Sequence, residues 1–261
     1  MGESAYLSVP LWLVAVGLFI GMLIAREAGK ALRDRRRTIA GEESGDAFAM
    51  TSVLGLLALL IGFTFSIALS RYESRRELVV QEANAIGTTW LRMQLLDQPD
   101  RARMEALLRQ YVDSRIAFGA ARTPSEERRQ YERTEALQGE LWGALMSAVA
   151  PFRDTPRASL LIGTTNEAID LAAERFATRQ AHIPQRILRM LAIFALLTAG
   201  MVGYERGTQR KATTLLFILL TLAVSLVLDL DRPSTGLTNV PQQPMFDLKA
   251  SMAPSPSAES P

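Results

Sequence analysis

The chain has no cysteine, so it forms no disulfide, no thiolate zinc site and no cysteine-held iron–sulfur cluster. It has a single histidine, His182, two residues before Pro184; it reads as a solvated helix-end residue rather than a metal ligand. Charge of one sign is also scarce. Lys and Arg number 29 and Asp and Glu 27, and the net charge of +2 is too balanced for a nucleic-acid binder. There is no Gly-rich phosphate loop, no H-E-x-x-H helix and no serine nucleophile set beside a base. Acid–base pairs and metal-ligand spacings are missing from the apolar runs and their borders, so the reading is not an enzyme and calls for no metal or other cofactor. A cleaved leader is not expected either. Met1 to Ser4 carry an acid and no base, and no A-x-A site follows the apolar run behind them, which reads as a retained membrane anchor.

What the chain does have is apolar residues gathered into four blocks, the mark of an integral membrane protein rather than a soluble globule. The expected fold is all-α: four transmembrane helices with a helical polar domain inserted between the second and third. The spans are expected at 5–25, 47–70, 187–204 and 212–228, the polar domain at 71–186, and a C-terminal tail at 229–261 that is disordered at its Pro- and Ser-rich end. Within the polar domain four helices are expected, at about 71–96, 100–118, 124–149 and 158–181. In the first span Gly17, Gly21 and Ala25 form a row of small residues suited to close helix packing. The charged stretch 26–46 reads as a loop. Four spans place both termini and the polar domain on one side. The two short loops opposite hold nine basic residues, among them Arg33, Arg35, Arg36, Arg37, Arg206 and Arg210, which makes that side cytoplasmic under the positive-inside rule.

The second span carries the functional signal. At about 100° per residue, Thr51, Ser52, Gly55, Leu59, Gly62, Phe63, Ser66 and Ser70 fall within an arc of about 120°. Leu54, Leu56, Leu57, Leu60, Ile61 and Ile67 lie outside it. Lipid makes no demand for such a narrow, hydroxyl-rich face. Either other helices pack on it, or water and ions pass along it. Under the second reading Gly55, Leu59, Phe63 and Ser66 line a pore, and Leu59 and Phe63 form apolar collars that gate by dewetting. Arg71 then rings the pore mouth with positive charge; otherwise it is an arginine snorkelling to the interface.

Ile61-Gly62-Phe63, followed by Arg71-Tyr72, resembles the second membrane helix of the bestrophins, a family of pentameric anion channels. The stretch Asp229, Asp231, Arg232, Pro233 and Gly236, ending in Asp247-Leu248, is similar to the segment that follows their last membrane helix. Glu82 to Thr88 and Asn166 to Arg175 look like the bacterial bestrophin-like membrane proteins, and the likeness runs from about Met50 to Leu248. The resemblance implies a homo-oligomer, by analogy a pentamer, in a bacterial inner membrane, passing chloride or other small anions. Glu73 stands where bestrophins carry a second aromatic, and the acidic run that binds calcium in animal members is missing, so calcium gating is not expected.

Glu82, Asn84, Asn166 and Asp170 are expected either to line a vestibule or to tie helices together. The leading reading is an oligomeric channel lined by the second span. The alternative is a non-conducting membrane scaffold or sensor whose helical domain binds a partner.

Overall fold

A computed structural model describes residues 9–40, 47–206, 209–233 and 236–253. Among these it contains eight α-helices and no strand: α1 (Leu11–Ala40), α2 (Ala47–Arg92), α3 (Asp100–Ala120), α4 (Pro124–Val149), α5 (Pro156–Gln180), α6 (Gln185–Arg206), α7 (Arg210–Asp231) and α8 (Gln243–Ser251). Four helical stretches, ending in or lying in α1, α2, α6 and α7, are long and apolar enough to cross a bilayer. The contacts divide the chain into a membrane unit (α1, α2 as far as Tyr72, α6 and α7) and a helical unit (Glu73–Ala181 and the chain from Asn239).

In the membrane unit α1 packs chiefly on α6, and glycine sets how closely. A Cβ on Gly29 would stand 2.0 Å from the Gly200 carbonyl oxygen, and one on Gly203 would stand 2.0 Å from the Arg26 carbonyl oxygen. Backbone therefore meets backbone, the route to helix association where lipid removes the hydrophobic drive. The expected small-residue row packs on α6 from Gly21 onward, with the Ala25 carbonyl 3.7 Å from where a Cβ on Gly200 would stand, and it continues one turn further to Gly29. Gly17 has open space around it, Gly21 faces Leu196, and the tight contact falls at Gly29.

The stretch from Arg26, expected as a loop, continues α1 to Ala40. Its Arg, Lys, Glu, Ala and Leu residues are good helix formers. Arg26 is buried and donates to the Thr213 and Thr214 hydroxyls of α7, and Arg33 donates to the Glu205 carbonyl. These basic groups therefore pack the helix against α6 and α7. Met22, Leu57, Ala195, Ala199, Phe217 and Val224 lie at the centre of this unit.

In the helical unit the starts of α4 and α5 are written in the sequence. Thr123 accepts from the Glu126 amide and Glu126 reaches back to the Thr123 amide, a capping box with Pro124 in the first turn. Thr155, ahead of Pro156, caps α5 by accepting from the Ala158 amide, without a reciprocal side chain at Ala158. The inner rows of the helices interlock around Ile86, Met104, Leu108, Tyr111, Leu145 and Leu161, all fully buried.

α8 falls inside the stretch expected as tail. Its Met245 and Leu248, with Met252 just beyond, close the core of the helical unit. Nine polar-flanked residues are too few for periodicity to announce a helix, and packing decides it. The terminal stretch where disorder is expected, 254–261, lies outside the described residues.

Candidate functional site

Every member of the small and hydroxyl arc on α2 is exposed, from Thr51 to Ser70. Leu59 and Phe63 are 54% and 62% exposed, as open as the off-arc Leu56 on the same helix and Leu222 on α7. A Cβ at Gly55 or Gly62 would meet nothing within 4 Å. Ser66 is open as well. The opposite side of the helix is the packed one: Leu57, Thr64 and Ala68 are buried. Thr64, the hydroxyl off the arc, donates to the Leu60 carbonyl at 2.6 Å, which satisfies it without a neighbour. Among the described residues, the chain's own helices therefore leave the arc exposed.

Arg71 does not continue this stripe. Eight residues beyond Phe63, it lies about 80° round the helix. It is half-buried, with its Nε enclosed. The exposed groups that do continue the stripe are acidic. Glu73 lies five turns beyond Gly55 and Glu77 five turns beyond Leu59, in line with them at 3.6 residues per turn. Glu77 accepts from the Gln81 amide at 3.0 Å.

The Asp229–Gly236 motif is a clasp at the end of α7. The buried Asp229 carboxylate accepts from the amides of Leu237 at 2.6 Å and Thr238 at 3.0 Å. Gly236 is needed for the approach, because a Cβ there would stand 2.6 Å from Asp229 Oδ1. Asp231, fully buried, accepts from the Ile183 amide at 2.9 Å. Arg232 is buried next to it, and Pro233 turns the chain. His182, expected in solvent, is partly enclosed instead, with Nδ1 3.1 Å from the Asp231 carbonyl and 3.5 Å from its carboxylate. A buried carboxylate needs such partners, and Asp231 draws the histidine in.

In the helical unit Glu82 is fully buried and ties α2 to two other helices. One carboxylate oxygen accepts from Arg115 Nε on α3 and the other from Arg175 Nη1 on α5. Arg175 also donates to the Gln242 side chain. Arg179 pairs with Glu127 at 2.8 Å and donates to the Ala121 carbonyl at 2.6 Å. The Phe118 ring faces all three guanidiniums, at 4.5 Å for Arg115, 5.5 Å for Arg175 and 5.0 Å for Arg179. Burial pushes the Tyr111 phenol, on the same helix as Arg115, up to about 12. Asn84 points outward, and so do Asn166 and Asp170, which bond each other at 2.8 Å. No group of three or more His, Cys, Asp or Glu side chains is placed to hold a metal among the described residues.

A bestrophin-like domain model matches residues 11–245, most of the chain. The chain belongs to the bestrophin-like family. Its fold is that of a bacterial bestrophin homologue from Klebsiella pneumoniae, with TM-score 0.68 at 14% identity over 91% of this chain and 95% of that one. A single-residue variant of that homologue matches with the same TM-score at 12% identity, over 90% and 97%. A structure described as a membrane protein variant also matches with TM-score 0.68 at 12% identity, over 93% and 97%. No curated protein matches. The bestrophin-like fold thus persists here with little of the sequence retained.

Arg115, Arg175, Gln242 and Phe118 were not among the candidate residues, although a signal for the arginines exists. Met104, Leu108, Tyr111, Arg115 and Phe118 form one inner row of α3 at spacings of four and three, and Leu161, Ala168, Ala172, Arg175 and Arg179 form another on α5. A charged residue at an apolar position of such a row is a buried ion pair in waiting. Gln242 arrives from a loop and leaves no periodic trace.

Proposed function

We propose that this bestrophin-like protein is an oligomeric ion channel of a bacterial inner membrane, with copies of α2 ringed about a water-filled path. The carrying observation is the uncovered stripe of Gly55, Leu59, Gly62, Phe63 and Ser66. An isolated chain would present hydroxyls and glycines to lipid along a full span, where they contribute nothing. In a ring of copies the small residues leave room for water, the hydroxyls contact ions, and Leu59 and Phe63 form collars that pass ions only when wetted. The family resemblance brings a pentamer as the oligomer and chloride or another small anion as the cargo.

One observation favours cations instead. Glu73 and Glu77, not Arg71, continue the stripe, and a ring of carboxylates at a pore mouth attracts cations. The purified protein in planar bilayers under a potassium chloride gradient separates the two. A reversal potential toward chloride supports the anion reading. A potential toward potassium, weakened in the Glu73→Gln/Glu77→Gln double variant, supports the cation reading. Intact oligomers without conductance would favour the scaffold reading.

A further inference from the structure

We propose that the interior of the helical unit binds a small monovalent anion, chloride or a halide like it, on the Nη1 and Nη2 groups of Arg115. Arg115 has no solvent exposure. Its Nε is spent on Glu82, and both terminal nitrogens are enclosed without an acceptor among the described residues. Those two nitrogens carry four of the five N–H donors of a guanidinium. Leaving charged donors unmade in an interior costs more than leaving neutral ones, so the site calls for an acceptor.

The charge count says which kind. Arg115 and Arg175 share the single carboxylate of Glu82, while Arg179 has Glu127 to itself. The second partner of Arg175 is the neutral Gln242. One positive charge is therefore left over in a place water does not reach. Phe118 offers Arg115 the face of its ring, which attracts a cation but supplies no lone pair. Tyr111 is held neutral, its oxygen already bonded to Gln138 at 3.2 Å and to the Ala168 carbonyl at 3.3 Å. A water molecule would satisfy hydrogen bonds and leave the charge. A small anion satisfies both, and a monatomic ion bridging the two Nη groups leaves no acceptor oxygen behind, whereas an oxyanion there would bury further oxygens with no free donor to meet them. The site is enclosed and does not depend on whether α2 lines a pore.

Two measurements on the full chain in detergent test it. Crystals grown in bromide are expected to give an anomalous peak within hydrogen-bond distance of Arg115 Nη1 and Nη2. A water in its place, with no anomalous signal, overturns the proposal. Thermal unfolding in halide and in gluconate at equal ionic strength gives the second readout. The wild type is expected to gain roughly 3–6 °C for each tenfold rise in halide above its dissociation constant. The Arg115→Gln variant is expected to lose that dependence. A wild-type midpoint that is the same in halide and gluconate overturns the proposal, whether or not the variant folds.

Discussion

Glu82 is held by two arginines that water does not reach, and its removal leaves both guanidiniums unpaired. Breaking a buried pair from one side costs about 3–5 kcal/mol. Glu82→Ala is therefore expected to lower unfolding stability by that amount, whereas Asn84→Ala, two residues on and exposed, stays within about 0.5 kcal/mol. Denaturant unfolding of the solubilised protein checks both, and equal effects would contradict the burial argument. Tyr111 makes a prediction of opposite chemistry. Its phenol is pushed up to about 12 from an ordinary 10.0, so the fold favours the neutral form. That contribution is complete below pH 10 and is lost as pH rises from 10 toward 12. It amounts to about 2–3 kcal/mol when fully expressed. Melting midpoints across that window are expected to fall more steeply for the wild type than for Tyr111→Phe, and parallel slopes would contradict the assignment.

At the scale of the element, α1 and α6 give the sharpest contrast. Alanine is the better helix former by about 1 kcal/mol, so Gly17→Ala, in open space, is expected to leave stability unchanged or raise it. Gly29→Ala is expected to do the reverse, at about 1–3 kcal/mol, because its Cβ meets the Gly200 backbone and the helices must part. Thermal unfolding in detergent compares them, and the same sign for both would contradict the close approach. Sequence periodicity carried these elements unevenly. α4 was legible at its start because Pro124 and the acidic residues Glu126 and Glu127 mark a helix N-terminus, and the Thr123 capping box accounts for the stop before it. The arc on α2 is a pattern of small and hydroxyl residues in the sequence, and the structure adds that its members are exposed. The extent of the α1 row was less legible, since Gly17 looks the same as Gly21 and Ala25, which do pack on α6, and Gly29, the tightest contact, lies in the charged stretch beyond the apolar run. The offset of Arg71 from the stripe follows from counting turns past Phe63. α8 had too few residues to carry a period.

Across the whole molecule four helical stretches are long and apolar enough to cross a bilayer, and α2 is helical from Ala47 to Arg92. Four spans place Ser4 and Ala40 on opposite sides of the membrane. α1 is about 45 Å long, enough to cross the hydrocarbon and stand clear of it at Ala40. Reporter fusions at the two positions are expected to disagree, and agreement would contradict the four-span topology. Fold class and span number were open to reading because bilayer thickness dictates the length of each apolar block. The proposed ion path was less so, because a ring of several chains would form it and one sequence records only which face is left over.

The central claim is that this leftover face of α2 conducts, and ion flux from liposomes tests it most directly. Chloride and potassium release would be followed for wild type, Phe63→Ala and Leu222→Ala, the last exposed on α7, with the oligomer verified for each. A conducting α2 face is expected to give measurable wild-type flux of one of the two ions, a severalfold rise in Phe63→Ala as the apolar collar widens and wets, and no change in Leu222→Ala. Intact oligomers that release neither ion, in the wild type and in Phe63→Ala alike, would contradict it.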